Sequence, residues 1–395
     1  MYCYSRRLSW DLSHNSLIAL IAQKRQAGAP LLDLTISNPT EAFPDYPQHS
    51  IQCALSRVES FSYRPDAAGD EPARHSIANW YAQRGIAISP ERILLTASSS
   101  EAYALLFKLF CDPGDQVIAP VPSYPLFEFL AGFESVRMVP YRLLYDGAWF
   151  IDFTSLRKRI TSRTRALVVV NPNNPTGSYL KSSERDELFT IALQNRLPII
   201  SDEVFLDYSF GDDDRRVKTL IGSDSVLSFS LGGLSKSAGM PQMKLGWIVV
   251  NGPDREEKEA RERLELLLDT YLSVNTPVQR ALPNLLAAGS DIQRQIARRT
   301  KENLEVLDRL LEPAPAHRLH LEGGWSAILQ MPKTLSEDDW MRRLIEEHNV
   351  VVQPGYFFDM SSEPHAVISL ITPPEIFREG VRRMVALLDM APANH

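Results

Sequence analysis

The sequence predicts an α/β protein: a mostly parallel sheet between helices, with a smaller α+β domain toward the C-terminus. Three observations lead there. Short apolar runs alternate with segments of helical spacing from Ile93 to about Val250, the order that yields parallel strands joined by helical crossovers. Two of these runs, Val168-Val169-Val170 and Ile199-Ile200, are continuously apolar, as strands buried on both faces are. From Asp254 onward the pattern changes to long charged helical segments followed by short strands.

Taken in order, Leu17, Leu20 and Ile21 have helical spacing, and the helix over 17–27 stops at Gly28. An apolar strand at 31–36 runs into Ser37-Asn38-Pro39-Thr40, a loop whose backbone and small polar groups can face a ligand. The turn-rich stretch from Tyr63 to Asp70 precedes a helix around 73–84. Strand 93–96 enters Ala97-Ser98-Ser99-Ser100-Glu101, where Ser98 and Glu101 fit a capping box. Free N–H groups, the helix dipole and hydroxyls at such a start all favour a phosphate; a plain capped helix is the alternative. Strands at 116–119, 136–139, 166–170, 198–201, 225–230 and 246–250 follow, with helices at 124–131, 153–160 and 183–195 among them. The C-terminal part reads as a helix at 256–272 and further helices to about 311. Strand 326–331, helix 337–348, strand 350–352, a loop at 353–356, strand 366–370 and helix 374–388 complete it.

Composition narrows the class. The chain has 395 residues, 44% hydrophobic and 23% charged, with a net charge of −7. That is an ordinary soluble globular balance with room for two domains, and it argues against a nucleic-acid binder. Cys3, Cys53 and Cys111 fall in no metal-ligand spacing, so no metal is expected and the thiols suit a reducing cytoplasm. The first eight residues lack the apolar core of a signal peptide. No apolar run approaches the roughly 18 residues that span a bilayer.

The chemistry centres on Ser228-Phe229-Ser230-Leu231-Gly232-Gly233-Leu234-Ser235-Lys236-Ser237. A strand ends in paired glycines, and a lysine follows in a loop of small residues. A lysine in a cramped, partly desolvated place loses affinity for its proton and becomes a nucleophilic amine, which a Schiff base with an aldehyde such as pyridoxal phosphate (PLP) requires. The alternative is a glycine-rich connection with an incidental lysine. Two further groups fall at strand ends. Asn174 lies in the rigid loop Asn171-Pro172-Asn173-Asn174-Pro175-Thr176-Gly177, and Asp202 directly follows a buried strand. A carboxylate there needs a cationic or hydrogen-bonding partner, and a protonated pyridine nitrogen would serve. The alternatives are an Asx-turn for Asn174 and a turn or cap for Asp202.

In order and spacing, these stretches resemble the class I/II aminotransferases of PLP fold type I, from about Leu31 to the C-terminus. Ser235-Lys236 with Leu245-Gly246-Trp247 is similar to the family's lysine signature; Asn174 stands in Asn-Pro-Thr-Gly, Asp202 in Asp-Glu-Val and Tyr124 in Pro-Ser-Tyr-Pro. The resemblance implies a seven-stranded-type sheet with PLP as cofactor. Lys236 would form the Schiff base, Asp202 would hold the pyridine nitrogen, Asn174 the phenolic oxygen, and Tyr124 would stack on the ring. Ser99 and Ser100 would cradle the phosphate. Tyr63 would reach the phosphate of a neighbouring subunit, which implies a homodimer. Residues 41–275 would form the large domain, with 1–40 and 276–395 forming the small one.

The departures from the family pattern carry expectations too. Lys244 replaces an arginine on the phosphate, so the charge stays and the two-pronged contact is lost. Phe205 replaces a tyrosine that contacts the phenolic oxygen, so a Schiff base holding its proton to higher pH is expected unless Tyr208 or another donor substitutes. Gly233 replaces a hydroxyl residue. Val367 stands where the family clamps the substrate α-carboxylate with arginine; the backbone at Ser37-Asn38 or a nearby arginine is the expected replacement. Trp325 in Gly-Gly-Trp is either a pocket wall or a core aromatic.

The expected activity is transfer of an amino group between an amino donor, an amino acid by family, and a 2-oxo acid. The rivals are a lyase, decarboxylase or cyclase on the same fold, or an aminotransferase whose substrate lacks an α-carboxylate. A PLP-fold sensor of a transcription regulator is disfavoured, because only about 30 residues precede the match.

Overall fold

The structure is a computed structural model and describes residues 2–10, 15–58, 62–360 and 364–390. Eight strands form the main sheet: β1 (Ile93–Thr96), β2 (Gln116–Val121), β3 (Arg137–Tyr145), β4 (Trp149–Ile151), β5 (Thr164–Val170), β6 (Ile199–Asp202), β7 (Ser228–Gly233) and β8 (Gly246–Asn251). Their spatial order is β1-β8-β7-β6-β5-β2-β3-β4. The central pairs β3/β2, β2/β5, β5/β6 and β6/β7 are parallel. The edges β1/β8, β8/β7 and β3/β4 are antiparallel.

Side-chain alternation decides the layers. Leu94, Ile248 and Val250 point toward Ala102, Leu106, Leu264 and Leu268 of the helices Ser99–Phe110 and Asp254–Tyr271. Ile93, Leu95, Trp247 and Val249 point the other way, into a core with Ile77 of Glu71–Ala82 and Leu282 and Leu285 of Thr276–Leu311. Full burial of each such Leu or Ile stabilises the fold by roughly 1.5–3 kcal/mol.

A second sheet of β9 (His317–Arg318), β10 (Ser326–Gln330), β11 (Gln353–Pro354) and β12 (His365–Ser369) is antiparallel, in the order β9-β10-β12-β11. Its core includes Leu17 and Leu34 from the N-terminal segment with Trp340, Phe377 and Leu387. Leu32–Asp33 ties that segment to Val350–Val351 as a parallel pair.

Several elements differ from expectation. The strand expected to end at 139 continues to Tyr145 and turns through Asp146 and Gly147 into β4; the Asp-Gly pair, with Gly147 at φ 71°, is the hairpin signal that explains it. The paired glycines do not follow their strand but complete it. Gly232 and Gly233 pair with Trp247 and Gly246, and the Trp247 indole fills the space a Gly232 side chain would need. Lys236 is therefore not in a loop but in the one-turn helix Leu234–Ser237. The helices expected up to 311 are one 36-residue helix that keeps Pro283 inside it. Its first half joins the core of the main sheet and its end joins that of the second sheet. Among the described residues, no helix is long and apolar enough to cross a membrane and no cluster of acidic, histidine and cysteine side chains could hold a metal.

Candidate active site

A cavity of about 390 Å³ opens at the C-terminal ends of β5, β6 and β7, the usual site of function in such sheets. Val170, Asp202, Gly232 and Gly233 end these strands there, and Ser326, Ile368 and Ser369 of the second sheet close the opposite side.

Asp202 is 9% exposed. Its Oδ2 accepts from the Tyr103 hydroxyl at 3.1 Å and its Oδ1 from the Val204 N–H at 3.2 Å. Burial pushes its carboxyl up to about 6; the two hydrogen bonds and the Lys236 charge oppose that rise without cancelling it. Lys236 is displaced in the complementary direction. Desolvation lowers its amine to about 8, against the pull of Asp202. Its Nζ lies 4.7 Å from the Trp325 ring centroid and 5.4 Å from that of Phe205. No acidic partner within ion-pair range holds this amine charged among the described residues, so it gives up its proton more readily than an exposed lysine does.

The sequence-selected groups separate clearly. Ser99, Ser100, Tyr124, Asn174, Asp202, Lys236, Lys244, Ser37 and Trp325 all line this cavity. Ser98 caps the Ser99–Phe110 helix by accepting from the Glu101 N–H at 3.1 Å. Glu101 in turn accepts from the Ala97 N–H at 2.6 Å. The first-turn N–H groups and the Ser99 and Ser100 hydroxyls therefore meet at one anion-binding end. Lys244 adds a charge there, two residues before Gly246, where a side chain would stand 3.1 Å from the Ser98 backbone. Asn174 Oδ1 accepts from the Ser326 hydroxyl at 3.1 Å, which leaves its Nδ2 without a protein partner among the described residues.

Two expectations need correction. Asn38 does not line the cavity: its Oδ1 caps Pro39–Ala42 by accepting from the Thr40 N–H and hydroxyl, and its Nδ2 donates to Glu41. Tyr208 does not replace the absent phenol, because its hydroxyl donates to the Lys236 carbonyl at 2.6 Å. Tyr63 lies outside the cavity of its own chain, 68% exposed, in a groove with Arg280. Val367 is 1% exposed and packs with Trp149, Leu319, Ile328 and Phe358. Sequence reasoning missed Tyr103 and Gln353. Tyr103 lies one turn after Ser99 on the capped helix, and that spacing could have revealed it.

The family model for aminotransferases of class I and II matches residues 30–378. The chain belongs to this family. It is 30% identical over 272 residues to the glutamate-pyruvate aminotransferase AlaA of Escherichia coli strain K12, covering 69% of this chain and 67% of that protein. It is 26% identical over 360 residues to human tyrosine aminotransferase, covering 88% and 78%. The solved alanine aminotransferase from Pyrococcus furiosus superposes with a TM-score of 0.88 at 25% identity over 98% of this chain and all of that one. This aminotransferase is thus a PLP-dependent enzyme of fold type I.

Its residues fit the cofactor. The anion-binding end has the donors and charge for a phosphate, and Gly232, Gly233 and Gly246 line the floor between it and Lys236, where neighbouring protein leaves no room for a side chain. Asp202 is a buried carboxyl whose burial cost falls once a cation meets it. In this aminotransferase Ser99, Ser100 and Lys244 would hold the phosphate, Asp202 the ring nitrogen, Asn174 the ring oxygen, and Tyr124 a ring face.

Proposed function

We propose that this aminotransferase moves the amino group of an α-amino acid with an apolar or aromatic side chain to a 2-oxo acid. One observation carries the donor class. Away from the anion-binding end, the cavity is walled by Phe127, Leu130, Phe205, Trp325, Phe357 and Phe358, and among the described residues its only charged lining residues are Lys236, Lys244 and Asp202. A second carboxylate on the donor side chain would meet no cation there, whereas an apolar side chain would leave water for a matching surface. The relatives named for glutamate and pyruvate, for tyrosine and for alanine support an amino-acid donor.

Bound PLP supplies an aldehyde for the amino group and a cationic ring that accepts the electron pair left when the substrate Cα–H bond breaks. Lys236 Nζ, desolvated and free of an acidic contact partner among the described residues, would take the Cα proton and return it to the former aldehyde carbon on the other side of the transferred nitrogen. Asp202 holds the ring nitrogen in its charged form, and Tyr103 fixes the carboxylate. Trp325 and Phe205 exclude water around the amine.

The test is the visible absorbance of the cofactor-loaded enzyme with a donor panel and no acceptor. L-Phenylalanine, L-tyrosine and L-alanine are expected to remove the band, and a 2-oxo acid to restore it. L-Aspartate as the best donor would overturn the donor class. A band that shifts without reversal by any 2-oxo acid would overturn transamination in favour of a lyase. Lys236→Ala should lose turnover while keeping the fold; full activity in that variant would end the reading.

We also infer a homodimer in a reducing cytoplasm. Tyr63, exposed and remote from its own cavity, suits a residue that completes a neighbour's phosphate site, and Cys3, Cys53 and Cys111 are free thiols. Sedimentation as a monomer at micromolar concentration would contradict the assembly. The division into residues 41–275 and residues 1–40 with 276–395 remains our domain assignment, with the long helix Thr276–Leu311 reaching both cores.

A further inference from the structure

The walls of the cavity contain polar groups that the chemistry above does not use, and they cluster. Gln353 on β11 lies opposite Val367 of β12 in the register of the second sheet. Directly opposed residues of an antiparallel pair share a face at about 5 Å, so the Gln353 side chain stands beside Val367. Ser369, two residues along β12, is on that same face and opposite Ser326 of β10. Gln353 and Ser369 both line the cavity. The Ser369 hydroxyl is buried with no hydrogen-bond partner in the protein, and so is the indole N–H of Trp325. They are 6% and 3% exposed. The Gln353 carboxamide makes no side-chain hydrogen bond among the described residues. Unpaired buried polar groups are costly, so these two, with the half-buried Gln353 carboxamide beside them, point to a ligand group that completes them.

That wall adjoins the reacting end. The Ser326 hydroxyl opposite Ser369 donates to Asn174, whose other amide atom remains unpaired by protein, and Trp325 is the ring 4.7 Å from Lys236 Nζ. A group attached to the substrate carbon that reacts at Lys236 therefore faces Gln353 and Ser369. A carboxylate accepts several hydrogen bonds at once, and neutral donors suffice to hold it when each is unoccupied. Among the described residues no arginine lines the cavity, and Lys244 is at the far, anion-binding end.

We propose that Gln353, with Ser369 beside it, is the residue that receives the substrate's α-carboxylate, through uncharged hydrogen bonds in place of an ion pair. The inference rests on the amino-acid reading above and names the residue that makes that reading possible beside Val367. It assigns Gln353 a specificity role: a carboxylate is recognised by donor geometry, and a negative charge introduced at 353 repels it.

The experiment uses the cofactor-loaded enzyme and L-phenylalanine, with phenethylamine as the same donor lacking the carboxylate. Wild type should react with L-phenylalanine at least about 10-fold better than with phenethylamine, the worth of one hydrogen bond to a charged group. Gln353→Ala should lose about 10- to 100-fold in kcat/KM for L-phenylalanine, chiefly in KM. Gln353→Glu should lose more than Gln353→Ala, and Gln353→Asn less. The visible band and the cofactor affinity should be those of wild type in all three variants, which separates a lost contact from a distorted site. The proposal falls if Gln353→Ala stays within about threefold of wild type, if Gln353→Glu is no worse than Gln353→Ala, or if wild type prefers phenethylamine. A loaded wild type that reacts with no amino acid of the panel would instead overturn the proposed function.

Discussion

The Tyr103 hydroxyl donates to Asp202 Oδ2 across 3.1 Å, from the helix that bears the anion-binding turn to the end of the central strand. One helix therefore serves both ends of the cofactor: its first turn presents Ser99 and Ser100, and its second turn anchors the carboxyl that would meet the ring nitrogen. The separation of these two functions is fixed by helix geometry, and the binding end cannot shift without pulling on the carboxyl.

Asp202 should make the cofactor-free enzyme less stable as pH rises. Its folded value, about 6, lies above the ordinary 3.8 because of burial. Between pH 4 and 6 the native chain keeps a proton that the unfolded chain has released. The associated stability is present below about pH 4 and is lost as pH passes through about 6. The loss is at most ~3 kcal/mol. Asp202→Asn should remove that slope, so that the cofactor-free variant is more stable than wild type at pH 7.5 while holding PLP more weakly. Urea melts of both cofactor-free proteins at pH 4.5 and 7.5 check this; an unchanged stability difference between the two pH values would contradict it.

Phe205 should set the protonation of the Lys236 nitrogen in the loaded enzyme. Its ring lies 5.4 Å from Lys236 Nζ and has no donor to offer. Two phenols of this region are engaged elsewhere, Tyr208 on the Lys236 carbonyl and Tyr103 on Asp202. A cofactor oxygen with fewer donors keeps more negative charge, and that charge favours a proton on the adjacent nitrogen. Phe205→Tyr should therefore lower the pH at which the visible band changes, by about 1–2 on the pH scale for one hydrogen bond to a charged acceptor. A spectrophotometric titration in which the variant matches wild type would refute the role.

Much of this was legible in the sequence because the signals were local. Strand alternation, the Ser98 cap and the buried Ile199-Ile200 run each depend on a few neighbouring residues, and the expected lysine, aspartate and asparagine do meet in one cavity. What the sequence hid depends on register. Gln353 matters because it pairs with Val367 across β11 and β12, and nothing within 353–356 foretells that pairing. Asn38 reads equally well as a ligand or as a helix cap, and the cap holds because Thr40 and Glu41 supply its partners. Tyr208 looked free until its hydroxyl met the backbone carbonyl of Lys236 in the one-turn helix Leu234–Ser237.

Gly232→Ala should destabilise the enzyme and loosen the cofactor together. A Cβ at Gly232 would stand 2.4 Å from Trp247 Nε1. The indole cannot yield cheaply, since it is fully buried, donates to the Tyr81 hydroxyl at 3.0 Å and meets the Trp80 and Tyr81 rings edge-on. Overpacking of this kind costs about 1–3 kcal/mol. The double variant Gly232→Ala with Trp247→Phe should recover part of that loss, because the smaller ring vacates the clash. Melting temperatures of the two single variants and the double decide it: strictly additive losses would rule out the indole as the obstacle.

Lys244→Gly should move stability and cofactor affinity in opposite directions. Lys244 adopts φ 49°, the left-handed region, which costs a residue with a side chain roughly 1–2 kcal/mol and costs glycine little. Its amine is exposed at the anion-binding end, beside the Ser98 turn, so its charge serves a ligand and pairs with no carboxylate of its own chain among the described residues. Removing the side chain should relieve the backbone and raise the melting temperature of the cofactor-free enzyme, while weakening PLP binding about 10- to 100-fold for a lost contact to phosphate. Lys244→Arg should keep the strain and restore or improve the affinity, because the guanidinium offers two parallel donors to phosphate oxygens. If Lys244→Gly lowered the melting temperature of the cofactor-free protein, the left-handed turn would owe its shape to contacts of the lysine stem, and the charge would not be what keeps a lysine there.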